Sequence, residues 1–352
     1  MKIIGIDLGK FNSVACIDRG DDTKPSFQKL PTDPAAFHDF LVDQAPGHLA
    51  IEVGGPAGWV HDLAVDLKIP CDVANTRDER WRWNRVKVKT DRTDALKLVR
   101  LTRMGELPTV TVPKREVRQH KQLIRHRETL VARRTAINNH VRALFDQQGI
   151  KLPAGQKLWS KAGRAMLAEH ARPMTEDLPL GESWRGVLHL ELAAWEALRL
   201  QLKQIEARLE ARNAECPRTR RLQTIPGVGP RLAESLVTVI GDPKRFKSAK
   251  EVAAYVGLTP RLHQSGEMMR DGRISKQGDR RLRSLLVEIA WACRRFNPAF
   301  RALFERLTKG DPKRKKKAAV ALARRILTVC WSMLRHETDW DASRVGVAVA
   351  VA

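Results

Sequence analysis

A single tyrosine, Tyr255, serves the whole 352-residue chain, and aromatic residues together make up only 5% of it. Tyr255 lies in AAYVGL, in a helix-like apolar context, without the Arg and His spacing that a tyrosine recombinase needs. Five cysteines (Cys16, Cys71, Cys216, Cys293, Cys330) are scattered with no Cys-x-x-Cys pair. That excludes a zinc ribbon and a disulfide framework, and it fits a reducing cytoplasm. No apolar run approaches the roughly 18 to 20 residues of a membrane span. The opening MKIIGIDLGK is interrupted too soon, by Asp7, to read as a signal peptide. Acidic residues are the scarce charge: Asp+Glu number 40 against 64 Lys+Arg, a net charge of +24. Hydrophobic residues reach 43%, enough for real cores, so the excess charge does not mean disorder. A cytoplasmic chain this basic works on a polyanion, because neutralising phosphates releases condensed counterions.

At roughly 150 residues per domain the length predicts two or three domains. Residues 1–110 read as α/β. Lys2 to Leu8 and Ser13 to Asp18 read as a hairpin around a GKFN turn, and 35–44 as a helix. A strand over 48–53, a helix over 59–67 and a strand over 70–74 follow, which together imply a mixed or parallel sheet with helices on its faces. Residues 111–217 hold two long amphipathic stretches, 114–148 and 184–213, with apolar residues recurring at three and four. They suggest an antiparallel coiled-coil hairpin around a less regular middle, with basic faces that are either solvated or bound to nucleic acid. Residues 218–340 are helical and basic and end in a helix opened by Lys313-Arg314-Lys315-Lys316-Lys317. An apolar tail, 341–352, remains without a partner.

Four carboxylates stand out. Asp7 sits among Ile6 and Leu8 in the first strand, and Glu52 ends another apolar strand directly before Gly54-Gly55. An ionised carboxylate there costs several kcal/mol unless a cation or hydrogen bonds compensate. Asp91 and Asp94, three apart at the start of a helix, share one face. The four form a plausible oxygen cage for two divalent metals of the kind that serve phosphodiester transfer. Other readings fit the parts: Asp91 or Asp94 as a helix cap, and GIDLGK as the phosphate loop of an ATPase. No second phosphate loop supports the latter.

Residues 255–287 carry the second constellation: a GLTPR turn, Gln264-Ser265-Gly266, a basic loop, Ile274-Ser275-Lys276-Gln277-Gly278-Asp279, and a helix with Arg280, Arg281 and Arg283. A serine nucleophile needs an exposed hydroxyl and cations for the developing charge. Ser265 beside Gly266 meets the first need, and Lys276 with the three arginines can clamp phosphate oxygens. A turn serine is the plainer reading of Ser265 by itself. Ser275 is the alternative serine, with the look of a turn or N-cap residue. Upstream, TIPGVGP around Gly227 and Gly229 reads as a helix-hairpin-helix loop offering backbone N–H groups to phosphate, or as a tight interhelical turn.

The order strand-Asp, strand-Glu, helix Asp-x-x-Asp resembles the RNase H-like fold of RuvC-type nucleases and, more closely, the DEDD domain of IS110 family insertion-sequence recombinases. GLTPR…QSG…ISKxGDRxLR resembles that family's C-terminal transposase domain, and RRTAINNHVRALFDQQGI and KKKAAVALARRILTVCWSMLR resemble further family segments. The likeness covers nearly the whole chain, departing at the apolar tail and at Glu267-Met268-Met269, where a more basic stretch is expected. It implies an α/β RuvC-like N-terminal domain, a coiled-coil middle and a mainly α C-terminal domain. It implies that Ser265 attacks DNA to form a phosphoserine link, and that Asp7, Glu52, Asp91 and Asp94 of another subunit bind Mg²⁺ or Mn²⁺. It further implies a guide (bridge) RNA pairing with donor and target DNA, and a homo-oligomer in which dimers assemble to a tetramer. A RuvC-like hydrolytic endonuclease and a non-catalytic nucleic-acid scaffold are the competing functions.

Overall fold

The computed structural model describes residues 1–21, 23–76, 78–81, 90–175, 177–265 and 268–343, without the side chains of Glu79, Gln156 and 262–271. The apolar tail from residue 344 and the Gly266-Glu267 pair therefore lie outside the described residues. The chain divides into two compact units, Met1–Glu116 and Val117–Ala352.

In the first unit, β1 (Ile3–Asp7), β2 (Asn12–Asp18), β3 (Ser26–Pro31), β4 (His48–Glu52) and β5 (Cys71–Ala74) form a sheet of order β3-β2-β1-β4-β5. β2 pairs antiparallel with both β1 and β3, while β4 pairs parallel with β1 and β5 parallel with β4, so the sheet is mixed, one of the two arrangements the sequence predicts. Strands β1 and β4 are apolar without alternation because both faces are covered. On one face α1 (Pro34–Gln44) and α2 (Ala57–Asp66) bury Phe37, Leu41 and Val60 against Ile4, Ile6, Leu49 and Ile51. On the other, α3 (Asp91–Arg103) sets Ala95 and Val99 on Ile3 and Cys16, and Leu98 on Ala50. β3 has no counterpart in the sequence reading. Only Leu30 of its six residues is buried, so no alternation marks it, and Lys29 and Pro31 suit an exposed edge. The opposite edge is covered: Val110 donates to the Val73 carbonyl at 2.8 Å, and Asn75 to that of Pro108 at 2.6 Å.

In the second unit, α4 (Arg115–Gln147) and α6 (Ser183–Glu215) pair antiparallel. Arg127 bonds Glu206 at 2.8 Å, Asn138 meets Trp195 at 2.9 Å and His140 meets Glu191 at 2.9 Å, so partners descend α6 as they ascend α4. Leu130, Leu198 and Leu202 form the seam. At the far end α5 (Lys161–His170) folds back, and Leu158 and Leu167 join Val141, Phe145 and Leu188 in a small core. The remaining elements are α7 (Pro217–Gln223), α8 (Pro230–Ile240), α9 (Ala249–Val256), β6 (Pro260–Ser265), β7 (Met268–Ile274), α10 (Arg280–Phe296), α11 (Pro298–Thr308) and α12 (Lys315–His336). Their shared core runs from Leu232 and Leu236 through Leu286 and Phe300 to Leu322 and Ile326. The serine segment differs from its sequence reading. What reads as a turn and a basic loop is an antiparallel two-stranded hairpin, β6–β7.

Candidate functional site

The acidic constellation is built by strand register and helix direction. Ile6 pairs with Ile51 in the parallel β1–β4 ladder, so the next residues, Asp7 and Glu52, end neighbouring strands on the same side of the sheet. Alternation gives them the face of Gly5 and Ala50, the face that α3 covers. Arg103, at the far end of α3, bonds Asp18 at 2.7 Å beside the start of β1. α3 therefore runs antiparallel to β1 and turns its first turn, with Asp91 and Asp94, toward the Asp7 end. Gly5 permits this approach, because a Cβ there stands 2.5 Å from the Ala95 carbonyl oxygen and 2.9 Å from Leu98 Cβ. Lys97 donates to the Trp81 carbonyl and covers its ring at 4.2 Å, which holds the inner face of α3.

The capping alternative for Asp91 and Asp94 is overturned. Thr90 is the N-cap: its hydroxyl accepts from the Thr93 N–H at 3.2 Å, and the Thr93 hydroxyl accepts from the Thr90 N–H at 2.9 Å, a closed capping box. Asp91, exposed, and Asp94, half-buried, complement the helix dipole from the first turn. Among the described residues, no three His, Cys, Asp or Glu side chains are gathered closely enough to hold a metal ion. The four carboxylates thus share one end of the sheet without closing into an all-protein cage. The donor set still fits a hard divalent cation, since it is carboxylate only, and Mg²⁺ sites commonly use one or two carboxylates completed by substrate phosphate. A cavity of about 530 Å³ opens at this same end, between Leu8, Gly9 and Lys10 after β1 and Gly55, Pro56 and Trp59 after β4.

In the second unit Ser265 is the last residue of β6, paired with Met268 across the hairpin end; its side chain lies outside the described residues. The Ser275 hydroxyl is buried with no hydrogen-bond partner among the described residues, a poor place for a nucleophile. The segment after β7 is wedged against the end of α9. A Cβ at Gly278 collides with the Tyr255 carbonyl oxygen and one at Gly257 with that of Gln277, while Lys276 adopts φ 58°. Arg283 corrects the sequence reading. It is 9% exposed and donates to the Val256 carbonyl at 2.9 Å and to that of Gln277, so it ties this wedge together from inside and is not a phosphate clamp. Lys276 and Arg280 are exposed. Arg281 is exposed too and pairs with Glu128 of α4 at 2.8 Å.

Asp279 caps α10 and anchors it to α4, with Lys121 at 3.3 Å and Arg125 at 3.6 Å. Burial opposes its charge, but the Leu282 and Arg281 N–H groups and the Lys121 ammonium outweigh it and hold the carboxyl below its ordinary value. A groove of about 940 Å³ between α4, α8 and α10 is lined by Arg127, Arg231, Arg280 and Arg281, with Gly229 at the start of α8. Arg127 and Arg231 escape a sequence reading because only the helix packing gathers them, although Arg231 stands directly after GVGP. The two loop glycines divide the work. Gly227, at φ 94°, packs with its would-be Cβ 3.0 Å from Cys293 Cα, whereas Gly229, the N-cap of α8, has open space around it.

A DEDD transposase family model matches residues 4–149, and the transposase model of the IS116/IS110/IS902 family matches 219–305. The chain is 31% identical over 350 residues to a probable family 20 transposase of Pseudomonas aeruginosa, covering 95% of this chain and 97% of that protein. It is 30% identical to the transposase for insertion sequence element IS1111A of Coxiella burnetii, covering 96% and 91% respectively. A pilin gene-inverting protein of Moraxella lacunata is 37% identical over 123 residues, 34% of this chain and 38% of that one. The matches in both units and along the whole chain agree: this chain belongs to the IS110 family of transposases, enzymes that cleave and transfer DNA, and its DEDD domain points to dependence on a divalent metal.

Proposed function

We propose that this transposase moves an insertion sequence by cutting and rejoining DNA through a phosphoserine link on Ser265, guided by an RNA of the element. Its first unit takes the RNase H-like role: Asp7 and Glu52, with Asp91 and Asp94, hold Mg²⁺ or Mn²⁺ together with a DNA phosphate. The observation that carries the reading is the β1–β4 register, which sets Asp7 and Glu52 side by side under the acidic first turn of α3. The bound ion supplies neutralisation of the charge that develops on phosphate oxygens. In the cutting step the Ser265 Oγ loses its proton and bonds to phosphorus, and the bond to one deoxyribose oxygen breaks. That oxygen takes a proton and leaves as a hydroxyl; attack by the recipient strand's hydroxyl reverses the sequence and frees the serine. Lys276, Arg280 and Arg281 hold phosphate oxygens, with Gly229 presenting the start of α8. Dimers assembling to a tetramer on the RNA bring donor and target together.

The test is a covalent trap. Wild-type protein with element-end DNA, its RNA and Mg²⁺ is expected to yield a denaturation-resistant protein–DNA adduct that Ser265→Ala abolishes and Ser275→Ala keeps. Asp7→Ala and Glu52→Ala are expected to lose the adduct while retaining DNA binding. Cleavage without any adduct, unaffected by Ser265→Ala, overturns the serine chemistry in favour of metal-dependent hydrolysis. Full activity without RNA overturns the guidance.

A further inference from the structure

The helical hairpin carries a cavity of about 440 Å³ that the cutting chemistry does not use. Its fixed wall is aromatic. Trp195 of α6 is nearly buried, and its Nε1 donates to Asn138 Oδ1 at 2.9 Å. Trp159 stacks on it with ring centroids 5.0 Å apart at 14°, and the Arg164 guanidinium covers Trp195 at 5.1 Å. Arg142 donates to the carbonyls of Gly155 at 2.7 Å and Pro153 at 3.2 Å, tethering the loop that delivers Trp159. The other wall is polar and uncommitted. Among the described residues, Arg134 and Asn139 of α4 have no side-chain hydrogen bond or ion pair, and Asn138, its amide oxygen held by Trp195, keeps its NH₂ to donate.

An aromatic plane, amide donors and a free guanidinium are what a planar heterocycle bearing carbonyl acceptors and a phosphate requires. The volume lies within the range of about 300–1,000 Å³ usual for small-ligand pockets. We infer that this pocket holds one unstacked nucleotide of a single strand, its base against Trp159, its acceptors on Asn138 and Asn139 and its phosphate on Arg134. A duplex is excluded because its bases stay stacked and paired. The inference rests on the nucleic-acid reading above and adds to it a specific recognition point on the hairpin, apart from the cutting site.

The full chain is mixed with three probes: a short bromouridine-substituted single-stranded RNA, the bromodeoxyuridine DNA of the same sequence, and a DNA duplex. Irradiation and peptide mapping are expected to place the adduct at Trp159. The Arg134→Ala/Asn139→Ala pair, which removes no hydrogen bond or ion pair among the described residues, is expected to weaken single-strand binding by about tenfold or more while leaving duplex binding unchanged. Adducts with RNA alone identify a strand read through its 2′-hydroxyl, and adducts with both identify any single strand; either supports the pocket. Protein that binds the duplex but forms adducts only elsewhere, or whose single-strand affinity survives the double substitution, overturns the inference alone. Protein that binds none of the probes overturns the reading beneath it as well.

Discussion

Single positions here act by what they leave out or bury. Gly5 carries no functional group, yet the absence of its Cβ brings α3 onto β1 and the Asp91/Asp94 turn toward Asp7. Gly5→Val is expected to cost about 1–3 kcal/mol of stability by overpacking and to abolish DNA cleavage with every carboxylate intact, measurable as a lower melting temperature beside a cleavage assay. His120 gives a pH signature. Burial, then the charges of Arg212 and Arg231, push it below 6.5, and its Nε2 is buried with no hydrogen-bond partner among the described residues. The folded state prefers the neutral ring, so the stability it contributes is complete above 6.5 and lost as pH falls from there toward the depressed value. Glu234, raised above its ordinary value by burial, works in the opposite direction. The readout is therefore a difference: the melting temperature of His120→Gln should fall less than that of wild type between neutral and mildly acidic pH. Equal slopes would discount the ring.

Elements differ in how plainly the sequence announces them. The first turn of α3 owes its shape to the Thr90–Thr93 box. Thr90→Ala is expected to lose about 1 kcal/mol of cap stabilisation, fray the turn bearing Asp91 and Asp94, and lower cleavage more than global stability, as hydrogen exchange over 91–95 would register. The long helices α4 and α6 were legible because apolar residues recur at three and four, and the β1–β2 hairpin because two apolar runs flank the GKFN turn. β3 was not, since a polar edge strand with one buried residue has no period to read. The β6–β7 hairpin was hidden by its charge, which suggests a loop when no core pattern opposes it. At the site, Asp7 and Glu52 were legible as carboxylates misplaced in apolar strands. Arg283 was not, because its sequence neighbours are exposed arginines and only the fit of α10 against the end of α9 turns it inward.

For the whole molecule, a net charge of +24 against a polyanion predicts steep salt dependence. If six phosphates are neutralised, log K against log salt should slope by about −5, and Arg231→Ala or Arg280→Ala should each reduce it by about one. A slope near zero in a salt titration would remove the charge from the binding mechanism. The two sides of the five-stranded sheet carry a further consequence. One ends in a short strand bearing Lys29 and Pro31, and the other is occupied by the segment through Thr109 and Val110. Neither offers a clean ladder to a neighbour, so this sheet resists growing edge to edge into a filament when copies crowd along one stretch of DNA.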